Sequence, residues 1–255
     1  GLSGAGNVWW PALALDSAGR PLVAWEVYNV KPSGAGAIHL RRWDGHSWGG
    51  VAGSDSGGGL SPGEGGARLV RMAVGPGDRV VAVWQHDRAG ISEVRHCALV
   101  SGAWNALGTD ATLSGAAEAE RPSVAIGADG QPRVAWQERP ASGSGVRVAR
   151  FDGSAWQPAS AGLALDRARH PALLAGGGAM AMDAADSVGR NIHLVQRHGG
   201  GWVRAPGAIA AGGLSRTAAD STFPSVASGG GRLVVAWEEA SSAGGGALYL
   251  LWRPL

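Results

Sequence analysis

Short apolar stretches alternate along the chain with turns that contain glycine and aspartate. One such stretch, Leu22–Trp25, follows the turn at Asp16–Gly19, and a similar stretch, Val134–Trp136, follows the turn at Ala128–Gly130. Apolar runs of this length between turn residues predict β-strands. Glycine or proline interrupts nearly every window long enough for a helix, so the pattern predicts an all-β protein.

The strand signals recur at a period of about 50 residues. Each unit opens at a proline or, in the second unit, at a valine: Pro11, Val70, Pro122, Pro171 and Pro224. Within a unit we predict four strands. The second strand ends in Val-Ala-Trp or a variant of it, and the fourth opens at another tryptophan such as Trp48 or Trp156. Four antiparallel strands repeated at this period are typical of a propeller blade.

Residues 1–255 are therefore predicted to form one domain, an all-β, five-bladed β-propeller with blades at about 9–52, 68–108, 120–160, 169–207 and 222–255. A parallel β-helix is the rival architecture, but it needs shorter coils without this hairpin pattern. The last unit ends before a tryptophan that would open a fourth strand. We expect 19 strands rather than 20, or an outer strand supplied by residues 1–8 or by a neighbouring chain. A piece cut from a longer protein would look the same.

Composition supports a packed β-protein and narrows its partners. The chain is 45% hydrophobic and 16% charged, with a net charge of +2 and no basic run, so we expect no nucleic-acid partner. No apolar stretch is long enough to span a membrane. The 12 tryptophans, against 2 Phe and 2 Tyr, suggest inter-blade packing of indoles on the alanines of Val-Ala-Trp. Arginine outnumbers the single lysine, Lys31, a bias typical of GC-rich bacterial genomes.

Two motifs carry a family resemblance. Trp43-Asp-Gly-His-Ser-Trp48 and Phe151-Asp-Gly-Ser-Ala-Trp156 resemble the Asp-box turn of sialidase-like propellers, one residue shorter between Asp and Trp. Together with Arg133–Gln137, the second motif is also similar to the repeats of fucose-binding propeller lectins, and the architecture resembles the five-bladed tachylectin type. The lectin resemblance implies sugar sites between blades, formed by an Arg, a Glu and an aromatic residue.

Candidate site residues recur at the blade face that carries the long loops, such as 29–36, 53–66, 108–120 and 208–221. Ligand loops are usually the long ones on a rigid scaffold. Three positions supply an acceptor, a donor and an aromatic group, which suit a hydroxyl-rich ligand. The position after the second-strand Trp carries Glu26, Gln85, Gln137, Asp183 and Glu238. An early third-strand position carries His39, His96 (or Arg95, one residue away), Arg147, His193 and Tyr249. The position just before the residue that opens each unit carries Trp10, Leu69, Arg121, His170 and Phe223.

The preferred function is a non-catalytic, carbohydrate-binding module, secreted, periplasmic or on the cell surface, with no cofactor. The runner-up is a protein-interaction or structural propeller of a longer extracellular protein, so the expected partner is a glycan or a protein. The incomplete last blade also leaves room for an oligomer. A glycoside hydrolase is the third reading, in which Glu26, Glu120, Asp183 and Glu238 would converge.

Sialidase activity would need an arginine triad and a Tyr/Glu pair, and the chain has only Tyr28 and Tyr249. The histidines show no His-x-His or His-Glu-x-x-His spacing, so no metal site is predicted. Cys97 lies in a strand pattern and is expected to be a small buried apolar residue.

Overall fold

The computed structural model is an all-β, five-bladed propeller, which confirms the predicted fold class. It describes residues 2–3, 7–29, 31, 35–109, 112–115, 118–139, 145–163, 167–187, 189–205, 213–217, 219–240 and 245–254. The helical element found in these ranges is a single 3-10 turn, Pro76–Asp78. None of the described segments forms a helix long and apolar enough to cross a membrane.

Nineteen strands are present in the described part of the chain, as predicted. The first blade contains β1 Val8–Leu15, β2 Pro21–Val27, β3 Ala37–Trp43 and β4 Trp48–Gly50. The second contains β5 Gly66–Gly75, β6 Arg79–Arg88, β7 Ile91–Val100 and β8 Ala103–Asn105. The third contains β9 Glu118–Ile126, β10 Pro132–Arg139, β11 Gly145–Phe151 and β12 Trp156–Pro158. The fourth contains β13 Arg169–Leu173, β14 Ala179–Ala185, β15 Arg190–His198 and β16 Gly201–Arg204. The fifth contains β17 Ser221–Gly229, β18 Arg232–Ala240 and β19 Gly246–Pro254.

Neighbouring strands in each sheet are consecutive in sequence and pair antiparallel, as in β1–β2, β6–β7, β14–β15 and β18–β19. The last blade has three strands, β17-β18-β19, so the prediction that it lacks its outer strand is confirmed. One face of β19 is open to solvent at Leu248, Leu250 and Trp252. Whether a neighbouring chain adds to this sheet stays a prediction.

The chain divides into two compact units. The first comprises residues 1–124 and 151–156, and the second comprises residues 125–150 and 157–255. In the first unit, Ala24 of β2 and Trp84 of β6 belong to one buried cluster. In the second unit, Ala181 of β14 and Trp237 of β18 share a cluster in the same way. The indole fills the space that the alanine methyl leaves, which explains the Val-Ala-Trp pattern.

The Asp-Gly motifs form tight turns between the third and fourth strands of their blades. Asp44 Oδ1 accepts the backbone N–H groups of His46 and Ser47 at 2.7 and 2.8 Å. Asp152 Oδ1 accepts the equivalent groups of Ser154 and Ala155, both at 2.8 Å. The N–H groups of Ser47 and His46 hold the pKa of Asp44 below its ordinary value. The glycine after each aspartate has φ near +110°, which a residue with a Cβ adopts only with strain.

A different aspartate turn predicts an acid-sensitive contribution to stability. Asp129 accepts hydrogen bonds from Arg133 Nη2 at 2.9 Å and from Arg150 Nη2 at 3.0 Å. Burial alone would raise its pKa, but the bonds from Arg133, Gln131 N–H and Arg150 outweigh burial and lower the pKa to about 2. A depressed folded-state pKa stabilises the protein above the unfolded value, and this stability is lost as the pH falls towards 2.

We therefore expect Asp129→Asn to cost about 1 kcal/mol or less at pH 6, because the carboxylate is partly exposed and its ion pairs are screened. The difference from wild type should shrink between pH 4 and pH 2, since the wild-type carboxylate is then being protonated. Urea denaturation of both proteins across this range measures it. A difference that stays constant with pH would show that the ion pairs do not contribute.

Candidate functional site

The position after the second-strand tryptophan is buried in four of the five blades. Glu26, Gln85, Gln137 and Asp183 are each at most 1% exposed, whereas Glu238 is open to solvent. These side chains lie where the second strand ends, at the long-loop side of each blade. Parts of the predicted long loops (residues 30, 32–34, 110–111, 116–117, 208–212 and 218) lie outside the described residues. The position is thus mainly an interior polar one, and each member has to be judged by its own contacts.

The early third-strand position is occupied by Arg95 in the second blade, not by His96. Trp84 pairs with Arg95, just as Trp25 pairs with His39 and Trp136 with Arg147. Met182 pairs with His193 and Trp237 with Tyr249 in the same register. The assignment of His96 is therefore wrong by one residue.

Three of the four histidines named as site residues are buried and contact the protein. His39 Nε2 lies 2.9 Å from the carbonyl of Gly57, and His96 Nε2 accepts the N–H of Leu107 at 3.0 Å. His193 Nε2 lies 3.5 Å from Asp186 Oδ2, and burial lowers the pKa of this histidine. In the ranges that the structure describes, no three His, Cys, Asp or Glu side chains are grouped as metal ligands would be. Arg147, by contrast, is half exposed and pairs with Glu138.

The residue just before the one that opens each unit has a left-handed backbone in all five blades. Its φ is +48° at Trp10, +54° at Leu69 and Arg121, +49° at His170 and +53° at Phe223. The pairing with the second strand shifts register at this residue in the first, second, fourth and fifth blades. We call these five residues the left-handed bulge positions. Non-glycine residues seldom adopt this conformation, and such residues cluster at functional sites. Trp10 and Phe223 are also exposed there.

In the fourth blade, the left-handed bulge position His170 belongs to a cluster of polar side chains. His170 Nδ1 lies 2.5 Å from Asp183 Oδ1, and Arg190 Nη1 donates to Asp183 Oδ2 at 2.7 Å. The imidazole also packs on the ring of Phe223, with centroids 4.1 Å apart. Because a guanidinium and an imidazole both contact the fully buried carboxylate, this cluster fits a structural role: its contacts offset the cost of burying the Asp183 charge.

In the first blade, Glu26 of β2 is hydrogen-bonded to Tyr28, which directly follows the end of that strand. The Tyr28 hydroxyl donates to Glu26 Oε2 at 3.2 Å, and Glu26 Oε1 accepts the backbone N–H of Leu69. Burial raises the pKa of Glu26 above its ordinary value, and this outweighs the hydrogen bonds from Leu69 and Tyr28. A carboxylate of raised pKa is a stronger base than a solvated one, and here it contacts a phenol that is still partly open to solvent.

Guanidinium groups surround this pair. The charges of Arg68 and Arg71 both act on Glu26 and favour its ionised form. Arg68 Nε also pairs with Asp87 Oδ2 at 2.7 Å. Arg71 is exposed to solvent, and desolvation, followed by the charge of Arg121, lowers its pKa. The Glu26–Tyr28 pair therefore lies in a cationic setting.

Sequence reasoning named Glu26 and Arg121 but missed Tyr28, Arg68 and Arg71. A usable signal was the spacing of Glu26 and Tyr28, since residues two apart in a strand lie on one face. Tyr28 was considered only as one of two tyrosines available for a sialidase pair, and it was not paired with Glu26 because it does not recur in the other units. For Arg68 and Arg71 the sequence carries no such signal, because their approach to Glu26 depends on packing between the first two blades.

Several solved structures share this fold at low sequence identity. The GH93 α-L-arabinofuranosidase of Fusarium graminearum is 12% identical with a TM-score of 0.62, over 94% of this chain and 80% of that one. The α-L-arabinanase of Penicillium chrysogenum is 13% identical with a TM-score of 0.55, over 94% and 80%. A sialidase of Trypanosoma rangeli is 11% identical with a TM-score of 0.55, over 98% of this chain and 55% of that one. This chain thus spans about half the length of that sialidase chain.

These likenesses establish a sialidase-like propeller fold, as the Asp-Gly motifs suggested. No protein-family profile and no curated protein sequence matches the chain. The predicted non-catalytic, carbohydrate-binding function is contradicted, because the similar propellers are mostly glycoside hydrolases and sialidases rather than lectins. That prediction rested on residues repeated in every blade, so it gave little weight to residues that occur once.

Proposed function

We propose that the protein is a glycoside hydrolase in which Tyr28 is the nucleophile and Glu26 the base. The observation that carries this proposal is the hydrogen bond from the Tyr28 hydroxyl to a buried carboxylate of raised pKa. A phenol is a weak nucleophile until an adjacent base takes its proton. The similar propellers, a sialidase and arabinose-releasing enzymes, support a reaction at a glycosidic bond.

In the proposed reaction the Tyr28 oxygen attacks the anomeric carbon while its proton passes to Glu26. The bond from that carbon to the leaving oxygen breaks, and a glycosyl-tyrosine forms. Water then attacks the same carbon, the tyrosine oxygen departs and recovers its proton from Glu26, and the proton that water loses ends on the leaving alcohol. The sum is hydrolysis of one glycosidic bond, with both side chains restored.

The cationic setting supports an acidic sugar as the substrate class. Arg68 and Arg71 lie close enough to act on Glu26, and guanidinium groups bind carboxylates through paired hydrogen bonds. A neutral phenol, unlike a carboxylate nucleophile, also brings no second negative charge towards an anionic substrate. We therefore place the substrate carboxylate against these two arginines.

Hydrolysis of nitrophenyl glycosides tests the proposal, since a phenol leaves without a protein acid. The panel should contain a sialoside and a glucuronide as acidic sugars and an arabinofuranoside as a neutral one. We expect turnover of an acidic glycoside. Turnover of the arabinofuranoside alone would support the hydrolase activity and contradict the proposal that the substrate is an acidic sugar. Absence of turnover on all three, with protein shown to be folded, would count against the hydrolase itself.

The pH dependence of kcat gives a second test of Glu26. Its ionised form is needed to accept the phenolic proton, so the rate should fall as the pH drops through its raised pKa, at a midpoint above 4.5. Glu26→Gln should lower kcat by about 10²- to 10⁴-fold and remove this acid limb. The variant should fold, because glutamine already occupies the equivalent position in the second and third blades. Glu238→Gln, at the exposed equivalent position, is the matched control and should leave both features unchanged.

A further inference from the structure

The only lysine of the chain is buried without a carboxylate partner among the described residues. Lys31 is 8% exposed, and its Nζ donates to the carbonyl of Gly65 at 2.8 Å. No acidic side chain of the described ranges lies within ion-pair distance of it. Burial, followed by the charge of Arg95, lowers its pKa, and no nearby carboxylate offsets this. A buried ammonium group without a counter-charge is costly, so the position calls for an anion.

A buried histidine with free ring nitrogens lies beside this lysine. His86 is 1% exposed, and neither of its ring nitrogens forms a hydrogen bond of ordinary geometry within the described structure. Both side chains adjoin the same residue: a Cβ built on Gly65 would lie 2.7 Å from His86 Nε2. Burial and the charges of Arg95 and Lys31 lower the pKa of His86, while Glu93 and the carbonyl of Glu64 act in the opposite direction.

A cavity of about 510 Å³ gives a ligand access to His86. His86, Arg95 and Trp84 line it together with apolar residues such as Leu60. The indole N–H of Trp84 is a further buried donor without an acceptor. Arg95 pairs with Glu93 at 2.5 Å, so these two charges cancel and the Lys31 charge is left over. The volume lies within the range of small-molecule pockets.

We propose that Lys31 and His86, beside the Arg95–Glu93 ion pair, form a binding site for a small oxyanion, namely a carboxylate, phosphate or sulfate group. The oxyanion supplies the counter-charge that Lys31 lacks and accepts hydrogen bonds from the ammonium and from a ring N–H of His86. The rest of the ligand occupies the cavity along Trp84. The existence of this site does not depend on hydrolysis at Tyr28.

The single lysine makes a direct measurement available. Protein labelled with ¹³C at lysine Cε gives one side-chain signal, which reports on Lys31 alone. Phosphate, sulfate and acetate are titrated in turn, with chloride at equal ionic strength as the reference. We expect at least one oxyanion to shift the signal saturably while chloride does not, and the three titrations identify which group binds. Equal, unsaturated shifts for all four salts would mean screening alone and would overturn the proposal.

Calorimetric titration of the preferred oxyanion into variants locates the site. Lys31→Met keeps the length of the side chain and removes its charge, so binding should weaken by about tenfold or more. Arg88→Met removes an exposed charge that pairs with Glu64 nearby, and it should bind as wild type does. Unchanged binding by Lys31→Met would overturn the proposal. If that variant fails to fold, His86→Phe, which removes the ring nitrogens only, takes its place with the same expectation, and the lysine signal of the wild type decides independently.

Discussion

Tyr28→Phe should lower kcat on an acidic nitrophenyl glycoside by at least about a thousandfold, because the substitution removes the oxygen that attacks the anomeric carbon. KM should change little, since the ring stays in place and the arginines still bind the substrate. Removing the hydroxyl leaves Glu26 with its bond from Leu69 N–H and so preserves the local fold. Steady-state kinetics on the purified protein measures both constants.

A mass measurement separates a nucleophile from a merely structural phenol. A 2-fluoro glycoside that reacts but hydrolyses slowly should add one sugar mass to wild-type protein, and peptide mapping should place it on Tyr28. Tyr249, the other tyrosine, lies half exposed on Trp237 and offers the control. Tyr249→Phe should keep full activity and full labelling. Labelling elsewhere, or a Tyr28→Phe protein that turns over normally, would assign the chemistry to another residue.

Trp202→Ala should destabilise the protein by about 3–5 kcal/mol. Trp202 is 2% exposed, belongs to the buried cluster around Met180 and Met182, and donates its indole N–H to the Ala159 carbonyl at 2.8 Å. The truncation leaves a cavity and an unpaired buried carbonyl, and both act in the same direction. Equilibrium denaturation in guanidinium chloride, followed by near-UV circular dichroism, gives the difference in unfolding free energy.

The same substitution at an exposed tryptophan is the control. Trp9 lies in β1 and is 59% exposed, so Trp9→Ala should cost less than about 1 kcal/mol. A loss below 1 kcal/mol at Trp202 would mean that the indole is not part of the core. Comparable losses at both positions would imply that Trp9 is covered in solution by another surface.

The architecture was predictable from the sequence because the same strand pattern recurs five times along the chain. Val-Ala-Trp marks the second strand of the first, third and fifth blades, and Asp-Gly marks the turn before the fourth strand of the first and third blades. The period of the repeat extends the pattern to the remaining units. The missing tryptophan after Trp252 likewise predicted the three-stranded last blade. These features are local, and turn chemistry and apolar alternation determine them before any packing is known.

The register of the second blade shows where pattern reading failed. Arg95 and His96 are adjacent, and both are compatible with a strand. The hairpin decides between them: Arg88 pairs with Ile91, so only Ala89 and Gly90 form the turn, both with positive φ. Such a two-residue turn fixes the pairing of Trp84 with Arg95. Alanine is an unusual residue for this conformation, and the turn therefore carried no clear sequence signal.

The candidate site was only partly predictable for a different reason. Glu26 was named as a candidate because its position recurs, but the chemistry proposed for it rests on Tyr28, Arg68 and Arg71, which have no counterparts that repeat. The raised pKa of Glu26 results from burial against the second blade, and a single sequence does not encode burial between blades in any local pattern. The sequence likewise carries no sign of the proposed role of Lys31, because that role depends on packing that leaves the buried ammonium group without a carboxylate among the described residues.

The left-handed bulge positions have a consequence for how such a protein changes. The backbone has nearly the same φ at all five positions, although the side chains range from aromatic to aliphatic and basic. The five residues are Trp10, Leu69, Arg121, His170 and Phe223. The surrounding sheet therefore determines the backbone conformation at these positions, and the side chain does not. Aromatic, basic and aliphatic residues can replace one another there, in evolution or by design, without a change in the backbone.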